Sequence, residues 1–118
     1  MKIEQIRNRK FKIEGDYVPS VEWEKFISES YYSEGFESFS RDCFVKLTSP
    51  GLEFEVYFEI FVRGNVSEEK GDQLNPPETY VDITSEEIII NGIFVNGDEV
   101  EVDGEVNEFL SNFIKENI

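Results

Sequence analysis

Residues 52–63 read LEFEVYFEIFVR, and the strict alternation of this stretch decides the fold. Leu52, Phe54, Val56, Phe58, Ile60 and Val62 fall on one side of an extended chain. Glu53, Glu55, Tyr57, Glu59, Phe61 and Arg63 fall on the other. Successive side chains of a strand point to opposite faces, so six alternations specify a β-strand with one buried and one solvated face. The branched and aromatic residues at the inner positions suit a pleated surface.

Working upstream, Ser49-Pro50-Gly51 places proline and glycine where a type II turn wants them, at i+1 and i+2. Before that turn, Cys43, Val45 and Leu47 alternate with Asp42, Phe44, Lys46 and Thr48, which predicts a strand over 41–48 and a hairpin with 52–62. Residues 31–40, YYSEGFESFS, have no clean period and read as a loop. Trp23, Phe26, Ile27 and Tyr31 lie on one helical face, predicting a helix over 20–30 with Ser20 as N-cap and Glu22 and Glu24 in its first turn. FKIEGDYV, from Phe11 to Val18, reads as a first strand interrupted at Gly15-Asp16.

Downstream, residues 64–79 (GNVSEEKGDQLNPPET) read as a long polar loop, of the length that in compact domains is functional or mobile. Tyr80 to Asn91 returns to strand, with Ile88-Ile89-Ile90 suggesting burial on both faces. Asn91-Gly92 and Asn96-Gly97 both signal hairpin turns; one is expected to be a two-residue turn and the other a bulge. Val100 and Val102 alternate with Glu99, Glu101 and Asp103. Val106, Phe109, Leu110, Phe113 and Ile114 recur at helical spacing, and Asp103 is placed to cap that helix. The expected architecture is one α+β domain over 1–118. It has a mainly antiparallel sheet of four to six strands, the C-terminal amphipathic helix and a short helix in the N-terminal half. The 106–114 stripe is expected to cover the apolar face of 52–62.

Composition supports a folded chain. Eleven Phe, five Tyr and one Trp among 118 residues supply the bulky core material that disordered acidic sequences lack. There is no alanine, the best helix former, while Ile (12) and Asn (8) are abundant. That bias fits an AT-rich genome, bacterial or viral. The single Cys43 rules out an internal disulfide and, on an alternating strand, reads as a buried apolar thiol. The opening MKIEQIRNRK has no signal-peptide core, and no apolar run is long enough to span a bilayer. A cytoplasmic location is expected, in the host cytoplasm for a viral product.

Histidine is absent, which removes His-based triads, most transition-metal sites and the usual base near neutral pH. Glu53/Glu55 and Glu99/Glu101 are carboxylate pairs at i, i+2, but such spacing on an alternating strand describes a solvated face more readily than a glycosidase dyad. The run 99–110 (EVEVDGEVNEFL) imitates a calcium loop at Glu101, Asp103 and Gly104. It fails at position 12, which is Leu110, and no helix precedes it. No catalytic residue, metal or cofactor is expected.

Charge is the remaining signal. The formal net charge is −15. Positive residues crowd the start, where Lys2, Arg7, Arg9, Lys10 and Lys12 face only Glu4. The body behind them is strongly acidic, which disfavours nucleic acid and anionic membrane and favours a cationic partner. The basic segment IRNRKFK is expected to counter acidic surface within the fold or in a dimer. Alternate strand positions lie about 6.6 Å apart, comparable with two phosphate steps along DNA at about 3.4 Å each. Glu53, Glu55 and Glu59 make one such row, and Glu99, Glu101 and Asp103 another.

From Phe54 to Gly97 the order of features resembles small acidic β-rich accessory proteins of tailed bacteriophages. They show an alternating strand (FEVYFEIFV, 54–62), a Pro-rich acidic stretch (NPPE, 75–78), a strand of the type YVDITSEEIII (80–90) and an Asn-Gly turn. The resemblance implies a viral source and an accessory or anti-defence role, and it carries over no functional residue. The reading is a non-enzymatic nucleic-acid mimic, of the anti-CRISPR kind. It would occupy a cationic surface of a host nuclease or nucleic-acid-binding complex through Glu53, Glu55, Glu59, Glu99, Glu101 and Asp103. The alternative is a structural or assembly protein that forms homo-oligomers through a sheet edge or the outer residues Tyr57 and Phe61.

Overall fold

The computed structural model describes residues 1–30, 35–69, 71, 74 and 78–118. Its strands are β1 (Lys12–Asp16), β2 (Gly35–Ser49), β3 (Leu52–Glu69), β4 (Glu78–Val95) and β5 (Asp98–Glu99). They form one antiparallel sheet in the order β1-β2-β3-β4-β5, every neighbour in the sheet being a neighbour in sequence. The helices are α1 (Trp23–Ser30) and α2 (Gly104–Asn117), with short 3₁₀ turns at Ile3–Gln5 and Ser20–Glu22. The expected α+β class is the observed one, with five strands.

The 52–63 alternation runs further than expected. Phe54, Val56, Phe58, Ile60 and Val62 are buried, and so are Gly64 and Val66, so the inner row of β3 continues into the expected polar loop. Gly64 hid this continuity by resembling a loop residue. A Cβ at Gly64 would stand 3.3 Å from Ile27 Cγ2 and 3.1 Å from the Asp82 carbonyl oxygen. The glycine is therefore there to admit α1 close to the sheet. Strand begins again at Glu78; residues 70, 72, 73 and 75–77 of the expected loop lie outside the described residues.

At 18 residues, β3 has a contour of about 60 Å at roughly 3.3 Å per residue. At 14 residues, α2 is about 21 Å long at 1.5 Å per residue. The chain resolves into two compact units, and β3 contributes residues to both. The 106–114 stripe, expected to cover the apolar face of 52–62, shares its unit with β3 as far as Glu59.

The first unit comprises Met1–Val18, Asp42–Glu59 and Ile88–Ile118. β1 pairs with β2 in the register Ile13↔Leu47 and Gly15↔Val45, so Gly15-Asp16 continue the strand they were expected to interrupt. Val45, Leu47, Phe54, Val56 and Phe58 are buried, as are Val106, Leu110 and Ile114 of α2. Phe11 stands edge-on to both Phe54 (5.5 Å between centroids) and Phe113 (5.9 Å), joining strand to helix. Gly51 adopts φ 78, as a type II turn requires at i+2. Of the two Asn-Gly pairs, Asn96-Gly97 is the true turn, with both φ positive (52 and 83) as in type I′. Asn91-Gly92 lie inside β4. Asp103 caps α2 as expected, its Oδ1 accepting from the Val106 amide at 2.9 Å.

Ile89, expected to be buried, is 40% exposed, and Ile88 and Ile90 are half-buried. Burial on both faces needs a layer on each side and a strand along each edge. β5 pairs only with Phe94 and Val95, extended by one bond from the Val100 amide to the Ile93 carbonyl. Among the described residues, no strand pairs with that edge of β4 over residues 88–92.

The second unit comprises Pro19–Arg41 and Ile60–Glu87. Trp23 and Ile27 are buried, as the helical spacing required, with Ile60, Val62 and Val66 of β3. The helix opens as a 3₁₀ turn with Pro19 at its N-cap position and no side-chain cap, so Ser20 is not the cap. Tyr31 and residues 32–34 lie outside the described residues. β2 begins at Gly35, six residues before the strand expected at 41, because Phe39 packs against Phe26 of α1 at 5.5 Å. Dense serine and glutamate concealed that one inward aromatic.

Candidate functional site

The two ends of the charge distribution have different fates. The basic opening segment is absorbed into the first unit. Ile3 and Ile6 are buried at 5% and 0% exposure, and Arg7 Nη2 meets Glu105 Oε1 of α2 at 2.8 Å. Arg9 donates to the Gln5 carbonyl at 2.7 Å and to the Pro50 carbonyl, and the terminal amine donates to the Glu101 carbonyl at 3.3 Å. The segment thus does what the sequence suggested, countering acidic surface within the fold. Two isoleucines at i, i+3 were the overlooked signal for its packing.

On the first unit's outward face, opposite the buried row, the alternation of β3 presents Glu53, Glu55, Tyr57 and Glu59. Phe44 of β2 and Phe94 of β4 flank Tyr57, with ring centroids 5.1 and 5.3 Å away. The three rings form a belt across three strands, within the 4.5–7 Å range of favourable aromatic contacts. Tyr57 remains 44% exposed. Residues directly opposite on antiparallel strands share a face. The registers Asp16↔Phe44 and Phe94↔Glu99 therefore put a carboxylate at each end of the belt.

The expected contact acids divide. Glu53 is engaged, its carboxylate 2.8 Å from Lys46 Nζ. That hydrogen bond, reinforced by the charges of Glu53, Glu14 and Glu55, holds the Lys46 ammonium above its ordinary pKa. Lys12 pairs with Glu14 at 2.8 Å, and its hydrogen bond and charge lower the Glu14 pKa while raising its own. Glu55, Glu59 and Glu99 make no ion pair among the described residues. The second row, Glu99, Glu101 and Asp103, is not a strand row: β5 stops at Glu99, and Asp103 is turned to its cap. Strand alternation cannot persist there because α2 starts at Gly104 and its N-terminal amides recruit the Asp103 carboxylate. Glu101 stays exposed beyond the strand.

Phe44, Gly92 and Phe94 were not foreseen as site residues. Phe44 was legible as an outward aromatic, but which side chains adjoin Tyr57 depends on strand order. Phe61, paired with Tyr57 in the sequence reading, belongs to the second unit, where the Arg63 guanidinium lies 5.1 Å from its ring centroid. A shallow notch of about 240 Å³ opens over Gly92, lined by Tyr57, Asn91, Gly92 and Phe94. A broader depression of about 370 Å³ lies at the hairpin end, lined by Thr48, Ser49, Gly51, Leu52, Glu53, Val95 and Asn96; its one carboxylate is the lysine-bound Glu53.

Cys43 is buried at 5% exposure, an inward strand residue as its alternation required. Among the described residues, no group of three or more Cys, Asp or Glu side chains could hold a metal ion, and no helix is long and apolar enough to cross a membrane. No protein-family model, no curated protein and no solved structure matches the chain.

Proposed function

We propose that this protein is a binding protein and not an enzyme, and that it docks on a cationic protein surface through the outward face of its first unit. The aromatic belt carries this reading: Tyr57, exposed to 44%, sits between Phe44 and Phe94, and carboxylates stand around all three. Interfaces take most of their energy from a few aromatic anchors inside a polar rim, and the charge of that rim selects the partner. Here the rim is Asp16, Glu55, Glu59 and Glu99, so the partner's rim is basic. Glu53 is excluded by Lys46, and Asp103 by its capping bond. Glu101 lies past the strand as a peripheral contact.

Capture from a bacterial lysate, run with wild type, Tyr57→Thr and the double variant Glu55→Lys/Glu59→Lys, tests the reading. Partners should be basic, should elute with salt, and should be lost with either variant. Partners retained by the charge-reversed chain would overturn it. The narrower role, a phage anti-defence inhibitor filling the nucleic-acid channel of a host nuclease, further requires DNA or RNA to compete for the captured protein.

A second reading has its own observation. Among the described residues no strand pairs with the β4 edge over residues 88–92, where Ile89 is exposed, and open strand edges pair readily with other strands. Self-association through it would make the chain an assembly component. Solution sizing as a function of salt separates the readings: a dimer abolished by Ile89→Lys supports the second, and a monomer supports the first.

A further inference from the structure

From the geometry around Gly92 we propose that the notch is a receptor for a single arginine side chain of the partner; this rests on the docking face proposed above. Three features converge there. The walls are aromatic, Tyr57 and Phe94 standing edge-to-face at 5.3 Å with an interplanar angle of 81°. The floor is Gly92, whose missing side chain makes the space: a Cβ would come within 3.1 Å of Phe94 Cε2. A carboxylate stands beside the floor, with Glu99 Oε1 3.7 Å from that same position and no ion pair to Glu99 among the described residues.

An apolar slot with a carboxylate beside it that makes no ion pair among the described residues is complementary to an apolar stem bearing a cation. Ring faces attract cations, the more so when water is partly excluded. The planar guanidinium suits the slot better than an ammonium, because it stacks on a ring while its fork of donors reaches a carboxylate. Ammonium, compact and strongly hydrated, gains less from an aromatic wall. Glu55 and Glu59, flanking Tyr57 on β3, and Asp16, opposite Phe44, add the surrounding negative field that draws a basic segment toward the slot.

The test uses the full chain, ¹⁵N-labelled, titrated with hexa-arginine and separately with hexa-lysine at equal ionic strength. Hexa-arginine is expected to bind about twofold to fivefold more tightly, the range of an exposed cation–π contact. The largest amide shifts should fall at Tyr57, Asn91, Gly92, Phe94 and Glu99. Gly92→Ala, which fills the floor, and Tyr57→Thr, which removes a wall, should each erase the preference for arginine while leaving the weaker lysine binding. Equal affinity of the two peptides for wild type, or shifts centred away from Gly92, overturns the arginine slot and leaves the cationic docking face standing. Failure of both peptides to bind overturns the slot and the face together. The wild-type comparison does not depend on the folding of either variant.

Discussion

The basic opening segment and the carboxylate-bearing face of β3 carry opposite charge, yet they differ more in what surrounds them. The segment is anchored: Ile3 and Ile6 lie in the core and Arg7 and Arg9 are bonded to α2 and to the β2–β3 turn. The face is open: its central Tyr57 is 44% exposed, and Glu55, Glu59 and Glu99 have no ion-pair partner among the described residues. A charge cluster thus reports function only after its intramolecular partners are subtracted. Subtraction removes the basic opening segment and leaves the face that looked like a solvated strand.

The contrast can be broken most forcefully through the cores beneath the two regions. Ile6→Asp and Phe58→Asp each bury a carboxylate where the wild-type side chain is at most 1% exposed, and each should cost about 4 kcal/mol or more in denaturant unfolding. A chain that keeps its midpoint after Ile6→Asp would show that the opening segment is an appendage after all. Asp103→Ala should cost about 1 kcal/mol, the worth of an N-cap, while Glu101→Ala should cost almost nothing. Equal effects would return Asp103 to the surface row that the structure denies it.

Smaller effects should come from pH. The pair Lys12–Glu14 lowers the folded pKa of Glu14, so its stabilisation is present above the ordinary glutamate range and fades as pH falls through the lowered value. Lys46 is the opposite case: raised by Glu53, it contributes below the ordinary lysine value and loses that contribution as pH climbs through the raised one. Both pairs are exposed, so Glu14→Gln should flatten the acid limb of a stability profile only slightly. Least of all, Glu59→Lys and Glu99→Lys should move stability by no more than about 0.5 kcal/mol while weakening capture of basic partners. A large destabilisation by either would mean that the acidic face is structural.

Most of the secondary structure was legible because alternation and helical spacing are local properties of the chain. Phe54 to Val62 specified β3, Val106 to Ile114 specified α2, and the Asp103 cap followed from one residue at the right offset. The extensions of β2 and β3 were not legible. Gly64 looks like a loop residue until Ile27 is seen against it, and Phe39 looks isolated until Phe26 is seen beside it. The candidate site was legible in half. Alternation placed Glu55, Tyr57 and Glu59 outward, but it could not show that Lys46 occupies Glu53 or that α2 recruits Asp103.

By itself, then, the sequence determined an α+β chain with an acidic strand face, an inward cysteine, a capped C-terminal helix and a Gly51 turn, all of them consequences of residue type at short range. Tertiary structure alone decided which charges remain open, that β3 is shared between two compact units, and that Phe44, Tyr57 and Phe94 meet. Those outcomes depend on strand order, register and helix packing; the belt alone joins residues 13 and 37 positions apart in the chain.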